Sequence, residues 1–167
     1  KYTLPAALVI LVVWVMQRKF FQQQESRQRY LLYKENQKNV TPIRFTAYER
    51  LVLFLERITP DSLLVRTQSD SYTAIQLHAA LLTVIRAEYE HNVAQQIYVS
   101  AEAWEVVKNA KESIVQLINA CAAQVDPQGP SVDLAKAILA TYENSTSAPT
   151  MVAISFLKTE LKTYFSA

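Results

Sequence analysis

The chain has 167 residues, a mass of 19.0 kDa, one glycine (Gly129), one cysteine (Cys121), two histidines (His78 and His91) and a net charge of +2. Ordinary usage of about 7% glycine would supply about twelve, so glycine-rich phosphate cradles and dinucleotide fingerprints are excluded, and turn-rich all-β architecture is disfavoured. A lone thiol excludes an internal disulfide and any zinc site needing two thiolates, and a charge of +2 gives no footprint for nucleic acid.

The N-terminus reads Lys1-Tyr2-Thr3-Leu4-Pro5 and then runs apolar to Met16. Fifteen uncharged residues, Tyr2 to Met16, are shorter than the ~20 of a spanning helix. Phe20 and Phe21 extend the apolar face past Arg18 and Lys19, whose side chains can snorkel toward headgroups. Tyr2 to Phe21 would cover ~28 Å. Tyr2 and Trp14 are suited to the membrane interface, and Pro5 suits a first helical turn. The chain opens on Lys1 rather than Met, so the span is expected to extend upstream. A cleaved signal peptide fits less well, because Gln17-Arg18-Lys19-Phe20 is a poor cleavage site. A buried helix of a soluble protein is the remaining alternative. The reading adopted is a transmembrane anchor over 1–21, with Tyr2, Trp14, Arg18 and Lys19 at the membrane interface.

Residues 17–41 carry six basic and two acidic groups, and residues 42–167 carry ten basic and thirteen acidic. The excess of cations beside the apolar run predicts a cytoplasmic C-terminal side, with the N-terminus outside. The basic stretch is either a topology determinant alone or an attraction to anionic headgroups. No Pro or Gly interrupts residues 6–41, so the anchor is expected to continue as a basic helical stalk over 22–41. Leu4 to Lys38 as one helix would measure ~52 Å. The stalk's apolar residues cluster at Tyr30, Leu31, Leu32 and Tyr33 without heptad recurrence, which argues for docking rather than a coiled coil.

Five helices are predicted in the domain over 42–167. Thr41 and Pro42 open the first, Ile43 to Thr59, with Ala47, Leu51, Phe54, Leu55 and Ile58 on one face and Tyr48 and Val52 widening it. Residues 60–72 read as a loop or short helical turn plugged by Leu63, Leu64 and Val65. Thr73 and Gln76 have capping-box spacing ahead of a helix from Ala74 to about Ile97, with Leu77, Leu81, Val84, Ile85, Glu88 and Tyr89 facing inward. Ser100 caps a helix to about Gln124, carrying Trp104, Val107, Ile114, Leu117 and Ile118. Asp126-Pro-Gln-Gly-Pro130 is the clearest turn, and Ser131 is expected to cap Val132 to Glu143. The last helix, Thr150 to Tyr164, is expected to bury Val152, Ile154, Phe156, Leu157 and Leu161 in part. Short loops make consecutive helices antiparallel neighbours.

Chemistry is weakly signalled. Glu88 and His91 have the Glu-x-x-His spacing of helix-bundle di-metal sites, but residue 75 is Ile, so His78 completes no second motif. An Arg86–Glu90 pair and a hydrogen-bonded histidine explain the segment better. Cys121 among small residues reads as core. No cofactor, metal or nucleic acid is expected. Tyr72, Tyr89, Tyr98 and Trp104 read as an aromatic wall of the core, with partner contact through Tyr98 and Trp104 as the alternative.

Two stretches, Ala47-Tyr-Glu-Arg-Leu-Val-Leu-Phe-Leu-Glu-Arg-Ile-Thr-Pro60 and Ile85-Arg-Ala-Glu-Tyr-Glu-His-Asn-Val-Ala-Gln-Gln-Ile-Tyr-Val-Ser-Ala-Glu-Ala-Trp104, resemble a family of short single-pass membrane-anchored proteins of Bacteroidetes-type bacteria with no assigned function. The resemblance implies a bacterial inner-membrane protein with a cytoplasmic domain, and no catalytic residue follows from it. The expectation is an all-α, non-enzymatic accessory or scaffold subunit of a larger membrane complex, in contact with the bilayer. Its protein partners would be met through Tyr30, Leu31, Leu32 and Tyr33 and through Tyr98 and Trp104. The alternatives are a membrane-tethered sensor or lipid-binding domain and an enzyme of unidentified chemistry.

Overall fold

The computed structural model describes residues 14, 16–18, 41–69, 71–145 and 148–166, and every regular element among them is helical. The chain divides into two units, Lys1–Ile43 and Arg44–Ala167. In the first, Trp14 and residues 16–18 are helical and exposed, and the Arg18 guanidinium stacks 4.4 Å over the Trp14 ring. Lys19, Tyr2 and the cluster Tyr30 to Tyr33 lie outside the described residues, as does most of the run expected to be an anchor and stalk. Among the described residues no helix is long and apolar enough to cross a membrane.

In the second unit α1 is helical over residues 44–57. Its buried residues Ala47, Tyr48, Leu51, Phe54, Leu55 and Ile58 fall on the face that the periodicity marks. The helix stops where Pro60 forces its neighbour Thr59 into extended backbone, φ −58° and ψ 140°. Of the loop or short helical turn expected after Pro60, the structure forms the helical alternative, α2, two turns over Pro60–Thr67. Proline at its first position, Asp61 in its first turn and the burial of Leu63 and Leu64 stabilise it. Val65 is no plug: it is 86% exposed, because the helical twist carries it off the face of its neighbours.

Helix α3 spans Ala74–Asn92 and tightens into a 3-10 turn, Val93–Ile97, where one continuous helix was expected. The Asn92 amide donates to the Glu88 carbonyl at 2.8 Å, and His91 Nδ1 lies 2.7 Å from the Ala87 carbonyl. These bonds supply partners to carbonyls at the helix end. At the other end, the Thr73 N–H donates to Gln76 Oε1 at 3.0 Å. The N–H groups of Ala74 and Ile75 donate to the carbonyls of Gly129 and Pro127 at 2.9 and 3.0 Å. Thr73 and Pro130 form an isolated antiparallel bridge. The Asp126–Pro130 turn therefore caps α3 as well as starting α5. Its Gly129 is held against Asp126, where an added Cβ would meet the Asp126 carbonyl at 3.1 Å.

Helix α4, Ala101–Ala122, is capped by Ser100, whose Oγ accepts from the Ala103 N–H at 2.9 Å. Helix α5 spans Ser131–Glu143, and Pro130 rather than Ser131 holds the cap position. Ser131 is already helical and buried, and its hydroxyl donates to the Ser69 carbonyl at 3.1 Å. Helix α6, Pro149–Ser166, packs along α4; α5 lies against α3 and α4, and α2 against α3 and α5. One apolar core joins all six helices, from Leu51 and Phe54 through Leu81, Val107 and Ile114 to Leu134 and Leu157. Ile154 and Leu157 are buried as expected, but Val152 and Phe156 face outward.

Candidate functional site

Three features distinguish the surface of the second unit from a plain solvated bundle. The first is an open groove of about 490 Å³ between α1 and α3, with Phe54, Val84 and Ala87 among its lining and Arg50, Arg57, Glu88 and His91 around it. Glu88 is the anionic centre. Its carboxylate accepts from Arg57 Nη1 at 3.1 Å and Arg66 Nη1 at 3.2 Å, and its side chain is only 16% exposed. Arg66 also donates from Nη2 to the Arg57 carbonyl at 2.6 Å, closing the end of α1 as arginine often does. The expected Arg86–Glu90 pair is not among the ion pairs of the described residues; the carboxylate of this segment that is held by cations is Glu88, from α1 and α2. His91 reaches the Ala87 carbonyl through Nδ1, which requires a proton on that nitrogen.

The second feature lies where α1 meets α6. Tyr48 and Glu160 each bury an oxygen, the phenol and Oε2, that finds no hydrogen-bond partner. Burial raises the Tyr48 phenol well above its usual value, and the neighbouring Glu160 carboxylate raises it further. The Tyr164 hydroxyl donates to Glu160 Oε1 at 3.5 Å, and its ring sits 6.4 Å from that of Tyr48. Arg44 lies 4.1 Å over the Tyr164 ring and donates from Nε to the Tyr98 carbonyl at 3.0 Å. Tyr98 thus takes part through its backbone while its ring stays partly exposed.

The third feature is apolar. Met151, Val152 and Phe156 form an exposed stripe on α6, with Val152 53% and Phe156 38% exposed. The apolar spacing predicts partial burial of Val152 and Phe156, and the structure turns both outward. Met151, Val152, Ala153, Ile154, Phe156 and Leu157 leave too many apolar positions for one buried helix face. Trp104 is different: its ring stacks on Tyr89 at 5.6 Å, and Tyr89 meets Phe54 at 6.1 Å. That aromatic tier packs against the core, with Lys111 Nζ 4.4 Å over Tyr89. Tyr72 does not join it and is partly exposed.

Cys121 is buried, and its thiol donates to Thr141 Oγ1 at 3.5 Å. His78 Nε2 lies 2.8 Å from Asn119 Oδ1. Among the described residues no group of three His, Cys, Asp or Glu side chains converges as a metal site. No curated protein and no solved structure matches the chain. The chain belongs to a family of unknown function, DUF7935, which it matches over residues 1–164.

Proposed function

We propose that this chain is a non-enzymatic accessory or scaffold subunit of a larger complex at a bacterial inner membrane. It is held by an N-terminal single-pass anchor, with the helical domain on the cytoplasmic side. The observation that carries the reading is the exposed apolar stripe Met151, Val152 and Phe156 on α6. Exposed apolar side chains grouped on one helix of a packed bundle mark a candidate protein-contact surface. The positive charge after the N-terminal apolar run supports the orientation. The stalk residues Tyr30 to Tyr33 and the ring of Tyr98 are further contacts in this reading.

The test is mild detergent extraction of native membranes, comparing the natural chain with Val152→Asp and Phe156→Asp. A partner recovered in fixed stoichiometry with the natural chain and lost with both variants supports the reading. Recovery of the natural chain with lipid alone contradicts it and favours a membrane-tethered lipid-binding domain.

A further inference from the structure

The outward face of α1 is built like half of a two-fold interface. Residues Glu49, Arg50, Leu53, Glu56 and Arg57 are not buried there, and Leu53 is 54% exposed amid four charges. At about 100° per residue, Glu49 and Glu56 fall on one side of Leu53, and Arg50 and Arg57 on the other. The surroundings agree with this division: Glu49 borders the α1–α6 groove, Arg50 and Arg57 border the α1–α3 groove, and Leu53 stands at the rim of the latter. The helix therefore has an acidic edge, a leucine ridge and a basic edge.

These charges have no partners on their own helix. Glu49 and Arg50 are adjacent, as are Glu56 and Arg57, and adjacent residues do not face one another. No opposite charges in the set stand three or four apart. Arg57 spends one nitrogen on Glu88 and keeps further donors, while Glu49, Arg50 and Glu56 form no ion pair among the described residues.

We infer that a second copy of this chain docks on this face, with the two α1 helices parallel about a two-fold axis running along them. A parallel two-fold places the acidic edge of each copy beside the basic edge of the other. Glu49 meets the other copy's Arg50, Glu56 meets its Arg57, each contact occurs twice, and the two Leu53 side chains meet between them. An antiparallel two-fold would bring acidic edge to acidic edge and basic edge to basic edge, which electrostatics oppose. The interface is isologous and closes at two copies. The inference stands on α1 alone and is independent of the partner reading drawn from α6.

The full chain in mild detergent, measured by native mass spectrometry, should appear at twice 19.0 kDa and shift toward monomer as salt is raised. E49R and R50E should each be monomeric with unchanged helical circular dichroism, because each places two like-charge pairs in the interface. Mixing E49R with R50E should restore the dimer, since the swapped charges complement one another across it. Val152→Asp should leave the dimer intact. A natural chain that stays monomeric at every concentration overturns the proposal. So does E49R dimerising as well as the natural chain, or a mixture that remains monomeric.

Discussion

Arg66 reaches the Glu88 carboxylate at 3.2 Å with one nitrogen and the Arg57 carbonyl at 2.6 Å with the other. One side chain of α2 thereby closes the end of α1 and neutralises the least exposed carboxylate of α3. Only a forked guanidinium can do both, because lysine offers a single point of charge. Arg66→Lys should therefore destabilise the domain by about 1 kcal/mol, and Glu88→Ala by about 1–2 kcal/mol, through two cations left without their acceptor. Urea denaturation of the two variants checks both values, and a Glu88→Ala midpoint equal to that of the natural chain would contradict the assignment.

The junction between α3 and α5 should be as sensitive as the core. Ser131→Ala removes a buried donor and leaves the Ser69 carbonyl with the Tyr72 N–H alone, with an expected cost of about 1 kcal/mol. Gly129→Ala pushes a methyl group against the Asp126 carbonyl and should cost on the order of 1 kcal/mol. Because both positions also serve the N-terminus of α3, hydrogen exchange should accelerate at the Ala74 and Ile75 amides in either variant. Unchanged exchange there would show that the turn does not cap α3.

Much of this fold was legible in the sequence, for reasons that differ by element. The core faces of α1 and α4 follow directly from apolar spacing, and Ser100 caps α4 as its position suggests. The end of α3 was not legible, because Val93 to Ile97 is composed much like the helix before it and the tightening depends on local bonding by His91 and Asn92. α2 was legible only as one of two alternatives, because so short an apolar cluster suits a loop or a helical turn, and Pro60 both stops α1 and starts α2. The charges around Glu88 come from three separated segments, so no local pattern announces them. The exposure of Leu53 among the charges of α1 was not legible from the periodicity, because it depends on which neighbouring helices flank that face.

Tyr48 should govern stability at alkaline pH. Its phenol is raised above the ordinary value of 10.0 in the folded chain, first by burial and then by Glu160. The neutral form is thus favoured by folding, and above pH 10 the unfolded chain releases a proton that the folded chain retains. Stability contributed by this group is full below pH 10 and is lost above it, at up to about 1.4 kcal/mol per pH unit. Tyr48→Phe should remove that share of the slope. At neutral pH it should shift stability by no more than about 1 kcal/mol, since the buried hydroxyl lacks a well-formed hydrogen bond and has the Glu160 carboxylate beside it. Thermal melts between pH 8 and pH 11 test both statements, and a large loss at neutral pH would show that the hydroxyl is bonded after all.

Trp104 should prove structural first. Its stack on Tyr89 and the contact of Tyr89 with Phe54 link α4, α3 and α1. Trp104→Ala should cost about 2–4 kcal/mol, less than for a fully buried tryptophan because the ring is partly exposed. Trp104→Phe should recover more than half of that loss. If Trp104→Ala melts like the natural chain, the ring is free for a partner instead.

The most direct test of the scaffold reading is a photoreactive side chain placed at Val152, activated in intact native membranes and followed by mass spectrometry of the adduct. The reading predicts an adduct to one defined second protein, formed at Val152 and absent when the probe stands at exposed Val65 on α2. Adducts to lipid alone, or no adduct at Val152, would contradict it.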